Sequence, residues 1–135
     1  MVIRIVIIED NPADLRLFKE ALRFFEIEAE VTHFPDGLTA VATMQSQQAP
    51  WNPPPDLVFL DLNMPRVSGF DVLTMLRSTP AYAETPVAIF TSSQAPADID
   101  RAEELRASRF LQKPTSLRDF FNVVSSTVRE FAPLN

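Results

Sequence analysis

The chain has 135 residues, of which 46% are hydrophobic and none is cysteine, and its formal net charge is −6. This length suits one domain with its own core, and the absence of cysteine excludes disulfides, thiolate metal sites and cysteine nucleophiles. The negative charge argues against general nucleic-acid binding, and no apolar run approaches the ~20 residues of a membrane helix. We therefore expect a single domain spanning residues 1–135, with no output domain, in the cytoplasm.

The first half of the chain predicts two strand–helix pairs. The run VIRIVIIED predicts a strand that ends in two acids, and NPADLRLFKEALRFF predicts a helix with Asn11 as N-cap and Pro12 at its first position. AEVTHF predicts a second strand, and DGLTAVATMQSQQ predicts a helix capped by Asp36. The segment APWNPPP, residues 49–55, excludes regular structure because it holds four prolines. Trp51 in this loop either folds over the edge of the core or contacts a partner.

The second half predicts three further pairs. DLVFLD, TPVAIFTSS and RFLQKP predict strands, and the helices that follow them are SGFDVLTMLRS, which Ser68 caps, APADIDRAEELRAS and SLRDFFNVVSSTVREFA. An apolar stripe runs along the last helix, and its members are Leu117, Phe120, Phe121, Val124, Val128 and Phe131. Five alternating strand–helix units indicate an α/β fold in which helices cover both faces of a parallel sheet.

Polar side chains stand at the carboxyl ends of four of these strands. Glu9 and Asp10 end the first strand and Asp61 ends the third, while Thr91 ends the fourth and Lys113 the fifth. Ligands of open parallel sheets bind at this edge, so we expect the side chains to converge. Each of them taken alone could be a helix cap, a strand residue or a surface charge, but chance accounts poorly for four strand ends together.

Such a cluster suits phosphoryl transfer. Carboxylates that lie close together repel one another unless a cation intervenes, and the oxygen ligands available here suit Mg²⁺ or Mn²⁺. The only histidine, His33, cannot form a histidine metal cluster. A carboxylate beside the metal can attack phosphorus, while Lys113 neutralises the phosphoryl oxygens and the Thr91 hydroxyl hydrogen-bonds to them. We therefore expect a phosphoryl group on Asp61.

Four segments resemble the receiver domains of two-component response regulators. IIEDN resembles the acidic pair after the first strand, FLDLNMPRVSGFDVL the phosphoacceptor segment, VAIFTSS the switch-hydroxyl strand and FLQKP the Lys-Pro end of the fifth strand. The resemblance covers nearly the whole chain, and EDNPADLRLFKEAL and FTSSQAPADI are most similar to stand-alone receivers, including partners of phytochrome-type kinases. It implies a flavodoxin-like, doubly wound (βα)5 fold whose five parallel strands have the order 2-1-3-4-5.

The resemblance also implies how the site would work. Asp61 would accept a phosphoryl group from a histidine kinase or a phosphotransfer histidine, Lys113 would pair with that group, and Thr91 would turn towards it. Four residues would hold the metal, and they are Glu9, Asp10, Asp61 and, through its backbone carbonyl, Asn63. The protein would catalyse only its own phosphorylation and dephosphorylation.

Further roles follow from the same resemblance. Phe110 falls at the switch-aromatic position and would move inward with the switch hydroxyl, while Asn63 and Ser93 occupy the two positions that help to set the phosphoryl lifetime. The Lys113–Pro114 peptide bond would be cis. Arg106 departs from the family pattern because it stands where a glycine is common, and arginine accepts a positive φ poorly.

Output would then depend on protein contacts. The implied partners are the kinase or phosphotransfer protein, a downstream protein target, and a second copy bound through the fourth helix, fifth strand and fifth helix, with no nucleic acid and no membrane. A receiver-like module that docks without phosphorylation is the main alternative. An aspartate-based phosphohydrolase is disfavoured because Asn63 replaces its second acid, and a flavodoxin because EDNP is not a phosphate cradle.

Overall fold

The predicted five-stranded parallel sheet is confirmed. The computed structural model describes residues 2–46 and 54–132. Its strands are Ile3–Ile8 (β1), Ala29–Phe34 (β2), Leu57–Leu60 (β3), Val87–Thr91 (β4) and Arg109–Gln112 (β5). Its helices are Pro12–Phe24 (α1), Gly37–Gln45 (α2), Gly69–Ser78 (α3), Pro96–Glu104 (α4) and Leu117–Phe131 (α5). All neighbouring strands pair in parallel, in the order β2-β1-β3-β4-β5.

Helices α1, α2, α3 and α5 begin where the sequence predicts, because polar side chains bond the unpaired amides of the first turn. Asn11 accepts from Ala13 N and Asp14 N at the start of α1, and Asp36 caps α2. Ser68 forms a reciprocal capping box with Asp71 at the start of α3. Each cap fixes the point at which the chain leaves the carboxyl end of a strand.

Two apolar layers hold the helices against the sheet. On one face Phe18 of α1 lies at the centre of an aromatic group, with ring centroids 4.8 Å from Phe59, 5.1 Å from Phe90 and 5.6 Å from Phe120. Buried residues of α2, α3 and α4 pack on the other face. In the apolar stripe of α5, Leu117 is 56% exposed because it occupies the first helical position, ahead of the turn that packs.

The fourth helix ends earlier than the sequence pattern indicates, at Glu104. Arg106 takes a left-handed conformation, with φ of 63°, directly after the helix. Its N–H bonds to the carbonyl of Glu103, and the N–H of Ala107 bonds to the carbonyl of Ala102 at 2.9 Å. This is a Schellman motif, so arginine fills the position that glycine usually takes at such a helix end.

The Arg106 carbonyl is held from a neighbouring helix. The guanidinium of Arg77 on α3 donates to it from Nε at 3.2 Å and from Nη2 at 3.0 Å. The same guanidinium donates to the carbonyls of Tyr82, Ala83 and Thr85. Arg77 therefore ties the end of α3 to the segment before β4 and to the exit from α4.

Two expectations from the sequence concern the proline-rich loop 49–55 and the absence of a membrane helix. Trp51 and most of the proline-rich loop 49–55 lie outside the described residues, so both interpretations of that tryptophan stay open. Among residues 2–46 and 54–132, no helix combines the length and apolar character needed to cross a membrane.

Candidate functional site

The acidic residues predicted to converge do so at the carboxyl edge of the sheet. Glu9 and Asp10 follow β1 and Asp61 follows β3, and each offers a carboxylate oxygen within 4.8 Å of the other two. Glu9 and Asp61 are only 2% and 6% exposed, whereas Asp10 faces solvent. His33 Nε2 donates to the Glu9 carbonyl at 2.8 Å, which fixes the backbone between β1 and α1.

Lys113 lies among these acids and also forms an ion pair with a further acid, Asp14. Its Nζ is 2.7 Å from Glu9 Oε1, 2.8 Å from Asp14 Oδ2 and 3.1 Å from Asp61 Oδ2. An ammonium has three N–H donors, so the three carboxylates satisfy it completely. The backbone N–H of Lys113 also donates to the Thr91 carbonyl at 2.8 Å, which places the side chain at the end of β5.

Asp14 is the site residue that sequence reasoning missed. It is an acid in the first turn of α1, where a negative charge favours the helix dipole, and it does not stand at the end of a strand. However, α1 begins immediately after Asp10, so an acid in its first turn starts from the same edge as the strand ends. The sequence signal that could have identified Asp14 is its position in a helix that begins shortly after the acidic pair Glu9 and Asp10.

Burial and charge perturb the ionisable groups of this cluster. Burial raises the pKa of Glu9 to about 8; the hydrogen bond from Lys113 opposes this shift, and the neighbouring Asp61 adds to it. Burial alone would lower the pKa of Lys113, but its bonds to Asp14 and Glu9 and the charge of Asp61 raise it overall. In the metal-free protein, the ammonium therefore stays charged and one buried carboxyl group tends to keep its proton.

A close backbone contact fixes the segment that carries Asp61. The N–H of Asp61 donates to the Ile8 carbonyl at 3.1 Å, and the N–H of Gly69 donates to the Leu62 carbonyl at 3.2 Å. A Cβ on Gly69 would lie only 2.3 Å from the Asp61 carbonyl oxygen. Only glycine lets the start of α3 approach Asp61 this closely. This close approach explains why the segment that resembles the phosphoacceptor motif has a glycine at position 69.

Asn63 joins Asp61 to Thr91. The backbone N–H of Asn63 donates to Asp61 Oδ1 at 3.1 Å, and its side-chain amide donates to Thr91 Oγ1 at 3.2 Å. Thr91 is fully buried, and its hydroxyl oxygen also accepts from Ser93 N at 3.3 Å. Ser93 Oγ in turn donates to Asp98 Oδ2 of α4 at 2.6 Å.

The remaining predicted site residues have less defined roles. Phe110 of β5 is half-buried and packs against the apolar layer formed by α2, α3 and α4. Its inward movement, the metal contact of the Asn63 carbonyl and the cis state of the Lys113–Pro114 bond stay predictions.

The donor set fits a hard divalent cation. The three clustered groups are carboxylates, and no described cysteine or histidine nitrogen belongs to the cluster. Oxygen-only ligands suit Mg²⁺ or Mn²⁺ rather than metals that prefer sulfur or imidazole. The exposure of Asp10 leaves one side of the cluster open to solvent, where an additional oxygen ligand could enter.

Comparisons with known proteins identify the family. Residues 5–125 match the response regulator receiver domain. The chain is 36% identical over 121 residues to the response regulator Rcp1 of Synechocystis sp., covering 89% of this chain and 82% of that protein. The crystal structure of the Mn²⁺-bound form of Rcp1 superposes with a TM-score of 0.85 at 31% identity, covering 98% of this chain and 96% of that one.

A second solved structure is also similar to this chain. It is the phosphorylated cyanobacterial phytochrome response regulator RcpA, with a TM-score of 0.88 and 31% identity, covering 97% of this chain and 94% of that chain. The family match, residues 5–125, covers most of β1, all of β2 to β5 and the three acidic residues of the cluster. The chain therefore belongs to the response regulator receiver domain family of two-component signalling systems.

Proposed function

We propose that this receiver takes a phosphoryl group onto Asp61 in a Mg²⁺-dependent reaction. The donor is a histidine kinase or the histidine of a phosphotransfer protein, and the phosphorylated protein signals by binding other proteins. The observation that supports this best is the setting of the Asp61 carboxylate. One oxygen accepts from the Asn63 N–H, and the other lies 3.1 Å from the Lys113 ammonium and close to two further acids.

The transfer exchanges one bond to phosphorus for another. An Asp61 carboxylate oxygen attacks the phosphorus atom, and the bond from phosphorus to the imidazole nitrogen breaks with its electron pair on nitrogen. A bound divalent cation, held by Glu9, Asp10, Asp61 and the Asn63 carbonyl, would supply positive charge to the phosphoryl oxygens.

Two other side chains of this chain complete the stabilisation. The Lys113 ammonium turns the N–H that it gives Asp61 towards a phosphoryl oxygen, since the acyl phosphate no longer presents a free carboxylate there. The Thr91 hydroxyl oxygen accepts from Asn63 and Ser93, and its proton donates to another phosphoryl oxygen. Both groups act by position and charge, as expected for phosphoryl transfer.

Intact mass after incubation with acetyl phosphate and Mg²⁺ tests the acceptor. We expect one added phosphoryl group, lost when EDTA removes the metal and absent in Asp61→Asn. The matched control is Asp119→Asn, which makes the same change in the first turn of α5, at a residue that does not belong to the group of close carboxylates. Unmodified wild-type protein under these conditions would instead support the docking module that works without phosphorylation.

A phosphatase assay separates the receiver from a hydrolase. Asn63 stands where an aspartate-based phosphohydrolase needs a second acid, and an amide cannot act as a general acid. We therefore expect no turnover of a generic phosphate ester beyond hydrolysis of the protein's own aspartyl phosphate. Multiple turnovers of p-nitrophenyl phosphate that are lost in Asp61→Asn would contradict this expectation.

Similarity to RcpA, a phytochrome response regulator, supports a phytochrome-like kinase as the donor. It gives a direct experiment, because a candidate kinase can be phosphorylated first and then mixed with this protein. Transfer to the wild type but not to Asp61→Asn within seconds to minutes supports the pairing. Equal transfer to an unrelated receiver at the same concentration would argue that the kinase is not specific for this protein.

A homodimer through α4, β5 and α5 is the second contact that we propose. Ile99 on α4 and Leu117 on α5 are apolar and 42% and 56% exposed. We expect phosphorylation, or beryllofluoride as its stable mimic, to shift a monomer–dimer equilibrium measured by light scattering. Leu117→Asp should abolish the shift, whereas Leu38→Asp, at a similarly exposed apolar residue of α2, should leave it unchanged. A mass that stays constant across concentrations would refute the dimer.

A further inference from the structure

Lys113 has an acidic partner outside the carboxylate cluster. Asp14 belongs to the first turn of α1, and its Oδ2 lies 2.8 Å from Lys113 Nζ with 18% of the side chain exposed. The group of three mutually close carboxylates is Glu9, Asp10 and Asp61, and it does not include Asp14. Among the described residues of the site, Asp14 therefore bonds the lysine without belonging to the candidate metal ligands.

The three acidic partners of Lys113 have different fates during phosphoryl transfer. Asp61 changes from a carboxylate to an acyl phosphate, and Glu9 is part of the set that would hold the metal. Asp14 has neither task and stays an anion beside the lysine throughout. It keeps drawing the ammonium towards α1 while the phosphoryl oxygens require the same positive charge.

The charges of the site show what this contact does. A divalent cation and Lys113 carry three positive charges, which equal the negative charges of ionised Glu9, Asp10 and Asp61. Asp14 leaves the site with one further negative charge, next to the lysine that must stabilise a phosphoryl group. A carboxylate held against the ammonium compensates part of its positive charge, and partial burial limits the screening of that contact by salt.

We propose that Asp14 is a positioning residue that acts through Lys113 and restrains phosphorylation of Asp61. This inference rests on the proposed function, because it concerns the same aspartyl phosphate. Removal of the Asp14 charge frees the ammonium for the phosphoryl oxygens, so the protein becomes easier to phosphorylate. A residue with only a structural role would give the opposite result, since damage to the first turn of α1 cannot accelerate the reaction.

The chain offers a matched control for the helix terminus. Asp119 stands in the first turn of α5, three residues after the capping Ser116, as Asp14 stands three residues after the capping Asn11. Both acids therefore favour the dipole of their helix to a similar extent. Only Asp14 contacts Lys113, so Asp14→Asn and Asp119→Asn differ in that contact.

The test measures the rate of phosphorylation by acetyl phosphate with Mg²⁺, followed by intact mass. We expect Asp14→Asn to react about five to ten times faster than the wild type, the size of one partly screened charge interaction. Asp119→Asn should stay within about twofold, as expected for a change in helix-terminus charge alone. In a Lys113→Ala background, Asp14→Asn should give no acceleration, because the residue acts through that lysine.

Two measurements that do not depend on turnover complete the test. Beryllofluoride, in the presence of Mg²⁺, should bind Asp14→Asn more tightly than it binds the wild type. Titration calorimetry with Mn²⁺ alone should show metal affinity that is unchanged or weaker, since a negative charge has been removed. Tighter metal binding large enough to explain the faster reaction would overturn the proposal.

Three other outcomes are decisive. An Asp14→Asn rate at or below that of the wild type refutes the restraint while leaving Asp61 as the acceptor. Acceleration that persists without Lys113 refutes the route through the lysine. If the wild type itself takes up no phosphoryl group, the proposed function fails, and the role of Asp14 is overturned with it.

Discussion

Replacement of Arg106 by glycine should stabilise this protein. Arg106 is exposed and ends α4 with φ of 63°, a conformation that costs a residue with a Cβ about 1–2 kcal/mol. Glycine removes that cost but loses more backbone entropy on folding, which offsets about 0.5–1 kcal/mol of the gain. The hydrogen bonds from Arg77 go to the Arg106 backbone carbonyl and therefore survive the change. We expect a net gain of about 0.5–1 kcal/mol in the free energy of unfolding.

A second effect of Arg106→Gly should also increase the free energy of unfolding. The pKa of Arg77 is lowered by burial first and by the positive charge of Arg106 second, so the two guanidinium groups repel each other. Arg106→Ala removes that repulsion but keeps a Cβ at positive φ. The difference in stability between the glycine and alanine variants therefore measures the backbone cost alone.

Thermal unfolding provides the assay. For a chain of this length, 0.5–1 kcal/mol corresponds to a rise of about 2–4 °C in Tm. Glu26 has φ of 54° after α1, so Glu26→Gly should show a gain of similar size at an independent helix end. A Tm of Arg106→Gly no higher than that of Arg106→Ala would refute the idea that the arginine is strained at this position.

Three further predictions concern the site and its supports. Gly69→Ala should cost about 1–3 kcal/mol and slow labelling by acetyl phosphate, because the added Cβ meets the Asp61 carbonyl; a wild-type melting curve would contradict this. Arg77→Met should cost about 2–4 kcal/mol in chemical denaturation by leaving several carbonyls unpaired, whereas a loss under 1 kcal/mol would mean that water replaces the guanidinium. The raised pKa of Glu9, about 8, means that the folded metal-free protein keeps a proton that the unfolded chain loses near pH 4.5. Its stability in EDTA should therefore fall from pH 5 to 8, and Glu9→Gln should flatten that fall.

The sequence predicted the architecture because local signals and the overall pattern agree. Asn11, Asp36 and Ser68 each mark a helix start that the structure confirms, and the short apolar runs between them form the strands. The pattern failed at the end of α4, since helix propensity continues past Glu104 and only the left-handed turn at Arg106 ends the helix. An arginine does not by itself indicate that conformation, and only the family resemblance, in which a glycine is common at the position of Arg106, pointed to the turn.

Most of the site was also predictable, because the carboxyl ends of parallel strands meet at one edge. Glu9, Asp10 and Asp61 lie together there, and Lys113 lies among them. Asp14 was not predictable from strand ends, because its contact with Lys113 depends on where the start of α1 lies relative to the residue that follows β5. Contacts between a helix and a distant strand follow from tertiary packing, which the spacing of polar residues along one element does not encode.

The hydrogen bonds around Thr91 explain how a change at Asp61 can reach α4. Thr91 Oγ1 accepts from Asn63 and from the backbone of Ser93, and the Ser93 hydroxyl donates to Asp98 in the first turn of α4. Asn63 also donates to the Asp61 carboxylate, so one residue contacts both the candidate acceptor and the Thr91 hydroxyl. Any group on Asp61 that draws the Thr91 hydroxyl towards itself must alter the bonds from Asn63 and Ser93. Because Ser93 is tied to Asp98, the start of α4 then has to adjust, and the path from acceptor to helix crosses only three residues.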